Sequence, residues 1–259
     1  MSAKGSLMVL ILATLASLVS VVVTRAANFS IQGCDPAADS ALKRENYQLA
    51  ATLHRRFLIW HPGNALAHYH LGFAYGMIGR SSEEIGEYVR AASMGLRQWD
   101  LFLDLGLAYF DKREYGNAIR TLETSVELGP EHAETHFNLA LAYEKAGRLT
   151  DAMKQIVISL QLAPADPDMR NTKAIICAEQ GDLECARDEW AKLLKIAPSY
   201  SAARTNLAIL MGAAPQSVPS PANAREIPQL LAVDRLPVQK PIVISGKLAS
   251  SICRRLGDR

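Results

Sequence analysis

The chain has 259 residues, 28 Lys/Arg against 26 Asp/Glu, a formal net charge of +2 and 49% hydrophobic residues. Residues 63–211 carry fifteen basic against twenty acidic residues, between basic ends, so there is no coherent basic face of the kind nucleic-acid binding needs. The four cysteines, Cys34, Cys177, Cys185 and Cys253, are too scattered for a disulfide framework, and no pair has the close spacing of a zinc site.

Leu7–Thr24, LMVLILATLASLVSVVVT, is a run of 18 residues without a charge, preceded by Lys4 and followed by Arg25. As a helix it spans about 27 Å, enough to cross a hydrocarbon core. Residues 1–26 therefore read as a membrane segment, either a retained anchor or a signal peptide cleaved at Thr24-Arg25-Ala26, where small residues fit a processing site. The body of the protein is expected outside the cytoplasm, anchored to the membrane or, after cleavage, secreted; in a bacterium that is the periplasmic side.

Asp35-Pro36 reads as an N-cap followed by proline at the first helical position. Residues 35–62 then show apolar spacing at Leu42, Leu49, Leu53, Phe57 and Trp60, a partial opening repeat with a shortened first helix. Helix pairs are predicted at 65–78 with 82–95, 99–112 with 115–129, 133–146 with 149–163, and 167–180 with 183–197. A last helix follows at 201–211. After Gly212 the texture changes: AAPQSVPSPANA is a proline-rich linker, and the basic end has too little apolar content for a core of its own, so 212–259 is expected to be disordered alone.

The pairs share a template. Shifting Ala133–Pro164 by 34 residues aligns Gly72, Gly106, Ala140, Ala174 and Ala208 in one column, and Tyr75, Tyr109, Tyr143 and Cys177 in another. Pro62, Leu96, Pro130, Pro164 and Pro198 close the units. Gly79, Gly147 and Gly181 mark the corners, with Arg113 in that place in the third unit. Small residues let two helices approach closely, and the closing prolines cannot continue a helix. Two departures, Glu84 in a small-residue slot and Lys173 in a leucine slot, predict looser local packing.

This pattern resembles the tetratricopeptide repeat family, strongly over 63–211 and more weakly back to Asp35. The resemblance implies an all-α fold, a right-handed superhelical array of antiparallel helix pairs with four full repeats and a capping helix. It also implies a protein-binding role, with the first helices lining a concave groove. The family's inward slots fall on Leu66, Tyr69, Phe73 and Met77, on Leu103, Leu107 and Phe110, on Phe137 and Leu141, and on Ile175. Asparagine in the sixth slot, which relatives use to hold the backbone of an extended peptide, is matched by Asn138 and Asn206. The lysine–asparagine clamp for chaperone carboxylates is absent: Tyr69, Leu103, Phe137 and Asn171 stand where its lysine would be. The alternative for the apolar residues is packing against a neighbouring helix or the basic tail.

Little else carries chemistry. The six histidines complete no set of three ligands at recognisable spacing, so neither metal nor cofactor is expected. No nucleophile elbow, phosphate loop or catalytic carboxylate pair stands out. Cys177 and Cys185 flank the Gly181 corner symmetrically; they are either a disulfide, in an oxidising compartment, or two small buried residues. The expected protein is a non-catalytic adaptor for a protein or extended peptide, with no nucleic acid and no small-molecule substrate. The rival is an accessory part of a catalytic complex, or a hydrolase using Cys177 or a histidine.

Overall fold

Residues 35–212 are described by the structure, a computed structural model; the segment Leu7–Thr24 and the tail beyond Gly212 lie outside them. Among the described residues every regular element is an α-helix, and no helix is long and apolar enough to cross a membrane. The helices divide between two compact units, whose described parts are 35–96 and 97–212. The first holds α1 (Pro36–Lys43), α2 (Tyr47–Trp60), α3 (Ala65–Met77) and α4 (Ser81–Ser93). The second holds α5 (Trp99–Asp111), α6 (Tyr115–Leu128), α7 (Ala133–Lys145), α8 (Leu149–Leu162), α9 (Pro167–Glu179), α10 (Leu183–Ile196) and α11 (Ser201–Leu210). Within each unit every helix packs on the next in sequence.

Local chemistry explains the boundaries. Asp35 accepts from the amides of Ala37 and Ala38, and Asp166 from those of Asp168 and Met169, each ahead of a proline in the first turn. Asn46, Asn64 and Asp182 cap α2, α3 and α10 in the same way. At the corners Gly79, Gly147 and Gly181 have φ of 78°, 74° and 83°. Arg113 takes φ 61° at the equivalent corner, a left-handed conformation that costs a residue with a Cβ about 1–2 kcal/mol.

The small-residue column sits where pairs close. A Cβ built on Gly72 would lie 2.6 Å from the Tyr88 ring, and one on Gly106 would lie 2.6 Å from Leu122. Further along, Ala140 shares a core with fully buried Ile156, and Ala174 with fully buried Trp190.

The two departures do not loosen the packing. Glu84 is buried because Gly76 has no side chain: a Cβ there would collide with the Glu84 carboxylate. Lys173 reaches the carboxylate of Glu189 on α10 at 3.1 Å, which Arg170 also contacts, at 2.8 Å. Each anomaly in the pattern is answered by a partner on the adjoining helix.

Candidate protein-binding surface

Most residues that the family pattern turns towards a groove are interior here. Leu66, Tyr69, Phe73, Leu103, Leu107, Asn138, Leu141, Ile175 and Asn206 are all buried, Leu103 completely. Met77, Phe110 and Phe137 are half-buried. An exposed patch containing Tyr69, Phe73 and Leu107 is therefore corrected. Tyr69 packs beside Tyr88 of α4, with ring centroids 5.7 Å apart, and Phe73 meets Tyr47 of α2 edge-on at 6.0 Å. Leu103 and Leu107 belong to the core that α5, α6, α7 and α8 build together. In the second unit α7 and α9 each pack on two second helices, and α7 also on the first helices α5 and α9, which leaves less of each first helix to solvent.

Phe110 and Phe137 occupy the solvent-facing strip that remains in the second unit, rooted on the core and open on one side. Asn138, beside Phe137, donates its amide to the carbonyl of Glu134 at 2.8 Å and leaves its Oδ1 without a hydrogen-bond partner. Asn206 is fully buried, with both amide atoms unpartnered. Burial raises the pKa of Glu134 on the same helix, His132 acting against it. Asn171, which replaces the clamp lysine, accepts from the Trp190 indole at 3.0 Å and is a core residue.

Two histidines that the sequence leaves as ordinary surface or structural residues form a repeated staple. His68 sets Nε2 3.0 Å from the carbonyl of Pro62 and Nδ1 2.5 Å from Glu87. His136, two repeats on, uses the same atoms on the carbonyl of Pro130, at 3.0 Å, and on Gln155, at 2.7 Å. Arg170 repeats the staple with Pro164 and Glu189, and Arg204 with Pro198. Each ties the loop before a first helix to that helix, and three of them reach the second helix as well. The hydrogen bond to Glu87 raises the pKa of His68, burial opposing it. Glu87 is buried between His68 and Arg90.

Other chemistry is brought together by the fold alone. Cys177 and Cys185 are joined in a disulfide with Cα atoms 5.8 Å apart, across the Gly181 corner. A bonded, buried sulfur is no nucleophile, which removes Cys177 from the hydrolase reading. Glu179 is pushed up to about 7 by burial, with the hydrogen-bonded carboxylate of Glu144 adding to it. In the first unit Asp39, His54 and His70 converge, a three-ligand set that sequence spacing did not show because each residue comes from a different helix. His70, placed by its slot in the groove, instead faces Asp39 at 2.9 Å.

The family model for the tetratricopeptide repeat matches residues 36–95 and 103–167. These segments are tetratricopeptide repeats. Solved structures agree in fold. The crystal structure of YrrB, described as a repeat protein of this family with an unusual peptide-binding site, is 22% identical with a TM-score of 0.62, covering 64% of this chain and 86% of that one. A crystal structure of MamA is 19% identical with a TM-score of 0.61, covering 65% and 98%. Residues 41 to the end of MamA from Desulfovibrio magneticus RS-1 are 16% identical with a TM-score of 0.60, covering 63% and 92%. At these identities the likeness is one of fold. Among curated protein sequences nothing matches.

Proposed function

We propose that the protein is a non-catalytic adaptor that holds an extended protein segment against the solvent-facing strip of its first helices. The observation that carries this reading is the pair Phe110 and Phe137, half-buried aromatic residues on α5 and α7, next to an asparagine with an unspent acceptor. Aromatic residues rooted in a core and open on one side make rigid anchors at interfaces. The peptide-binding site described for YrrB supports the same class of partner.

The array is tethered by Leu7–Thr24, or exported after cleavage of that segment, and works outside the cytoplasm, in a bacterium in assembly of an envelope complex. The uncharged run of 18 residues supports the membrane step, and the Cys177–Cys185 bond supports an oxidising compartment. Catalysis is not part of this reading: Cys177 is bonded, and both His68 and His136 spend both ring nitrogens on helix staples.

Affinity capture of the tagged full chain from its native membranes tests the role. Phe137→Ala and Phe110→Ala are expected to lower recovery of a specific partner about thirtyfold each, the effect of losing roughly 2 kcal/mol at an aromatic anchor. Lys154→Ala, on the exposed face of α8, leaves recovery unchanged. Equal recovery with both phenylalanine variants contradicts the proposal.

A further inference from the structure

Three helices of the N-terminal unit each direct one titratable side chain to a common point: Asp39 from α1, His54 from α2 and His70 from α3. One ligand atom from each lies within 4.8 Å of the others, and all three residues are buried. Asp39 Oδ1 is 2.9 Å from Nδ1 of His70 and 3.7 Å from Nε2 of His54. Four-coordinate zinc, with ligand bonds of about 2.0–2.2 Å, separates neighbouring ligand atoms by roughly 3.3–3.6 Å. The two observed distances straddle that value. The imidazole rings of His54 and His70 meet at 65° with centroids 5.3 Å apart, so they converge on a point and do not stack in parallel.

His54 supplies the independent observation. It is 0% exposed, and neither ring nitrogen has a hydrogen-bond partner. Burying an imidazole in this way is unfavourable, and an unsatisfied polar group in an interior calls for a specific explanation. The other stapling histidines of this chain spend both nitrogens; His54 spends neither. Two imidazoles and one carboxylate are borderline donors that suit zinc, iron, cobalt or nickel and not calcium or magnesium, which take oxygen.

We propose that Asp39, His54 and His70 bind one divalent transition-metal ion of the zinc class. The ion cross-links α1 to α2 and α3. At eight residues α1 is too short to persist alone, and its hold on the array comes from tertiary contacts. A metal bond to Asp39 turns that opening helix into a fixed cap over the first repeat. These three residues supply three ligands, which leaves a fourth position for a water molecule.

The test uses the purified full chain, stripped of metal by a chelator, with Zn2+ as ligand and Co2+ as optical probe. Wild type is expected to take up one equivalent and to melt about 5 °C higher when zinc is present at a hundred times its dissociation constant. The cobalt form is expected to show ligand-field bands without a sulfur charge-transfer band. Asp39→Asn and His54→Gln lower zinc affinity about 100-fold or more, while His132→Gln leaves it unchanged. Because a variant at a fully buried position can fail to fold, the wild-type stoichiometry and cobalt spectrum stand as a separate criterion. Absence of saturable binding, a sulfur charge-transfer band, or unaltered affinity in folded variants overturns the proposal.

Discussion

The two units fold the same repeat around different interiors. In the C-terminal unit the centre is aliphatic: Leu103, Leu107, Leu122, Leu139 and Ile156 fill the space between α5, α6, α7 and α8. In the N-terminal unit the corresponding depth holds Asp39, His54, His68, His70, Glu84 and Glu87, all buried. Position 118, alanine in the C-terminal unit, has as its counterpart one repeat earlier Glu84, which Gly76 accommodates. The comparison teaches that the close-approach column and the left-handed corner suffice to specify the helix pair. The chemistry of the remaining interior is then free to vary: the N-terminal unit brings Asp39, His54 and His70 to one point, whereas the C-terminal unit buries Asp100, His136, Glu144 and Glu189 as well as an aliphatic centre.

The largest effect that sharpens this contrast is expected at Gly76. Gly76→Ala sets a Cβ against the Glu84 carboxylate, and overpacking of this kind costs about 1–3 kcal/mol. In the double variant Gly76→Ala/Glu84→Ala that penalty disappears, because the N-terminal unit then carries the alanine of its C-terminal counterpart. Denaturant titration of the double-mutant cycle measures the coupling. Additive single effects would show that Glu84 does not occupy the space Gly76 leaves.

Next comes the histidine staple, which meets a carboxylate at His68–Glu87 and a neutral amide at His136–Gln155. His68→Ala removes one of the two partners of a buried carboxylate, leaving Arg90, and is expected to cost about 2 kcal/mol, whereas His136→Ala strips the neutral Gln155 and costs about 1 kcal/mol. Equal losses in chemical denaturation would break the distinction between the two interiors.

A smaller effect is the pH dependence that Glu179 gives the C-terminal unit. Glu179 has a folded-state pKa of about 7, above its ordinary 4.5, so its contribution to stability is complete below 4.5 and is lost as pH rises through 7. Glu179→Gln, which keeps the neutral form at every pH, is expected to flatten the decline in melting temperature between pH 5 and pH 8. An unchanged slope would remove Glu179 from the account. The smallest effect belongs to Arg113: glycine at this corner relieves the positive φ and is expected to stabilise by about 0.5–1 kcal/mol, read as a rise in melting temperature.

The repeat itself was legible because its signals are local and periodic. Helix starts at Ala65, Trp99, Tyr115, Ala133, Leu149, Pro167, Leu183 and Ser201 coincide with the expected ones, and the remaining boundaries of these pairs and of the last helix differ by one or two residues. The surface was less legible. Leu103, Leu107 and Ile175 were assigned to the groove by slot, but a slot fixes only a direction around the helix, and the neighbouring helices decide how much of that direction stays open. Lys173 was misread for a related reason, since a charge at an inward position gives no sign in one sequence of the partner it meets sixteen residues away. Asp39, His54 and His70 left no spacing to find, because three different helices bring them together.

The most direct test of the adaptor reading places a photoreactive residue at one position at a time in the full chain, in its native membrane. Position 137 on the open strip of α7 is compared with position 154 on the exposed face of α8 and with position 77 in the N-terminal unit. The account predicts a discrete, light-dependent protein adduct at 137 and none at 154, with position 77 showing whether the bound segment also reaches the N-terminal unit. Adducts of equal yield at 137 and 154, or none at 137, would contradict it.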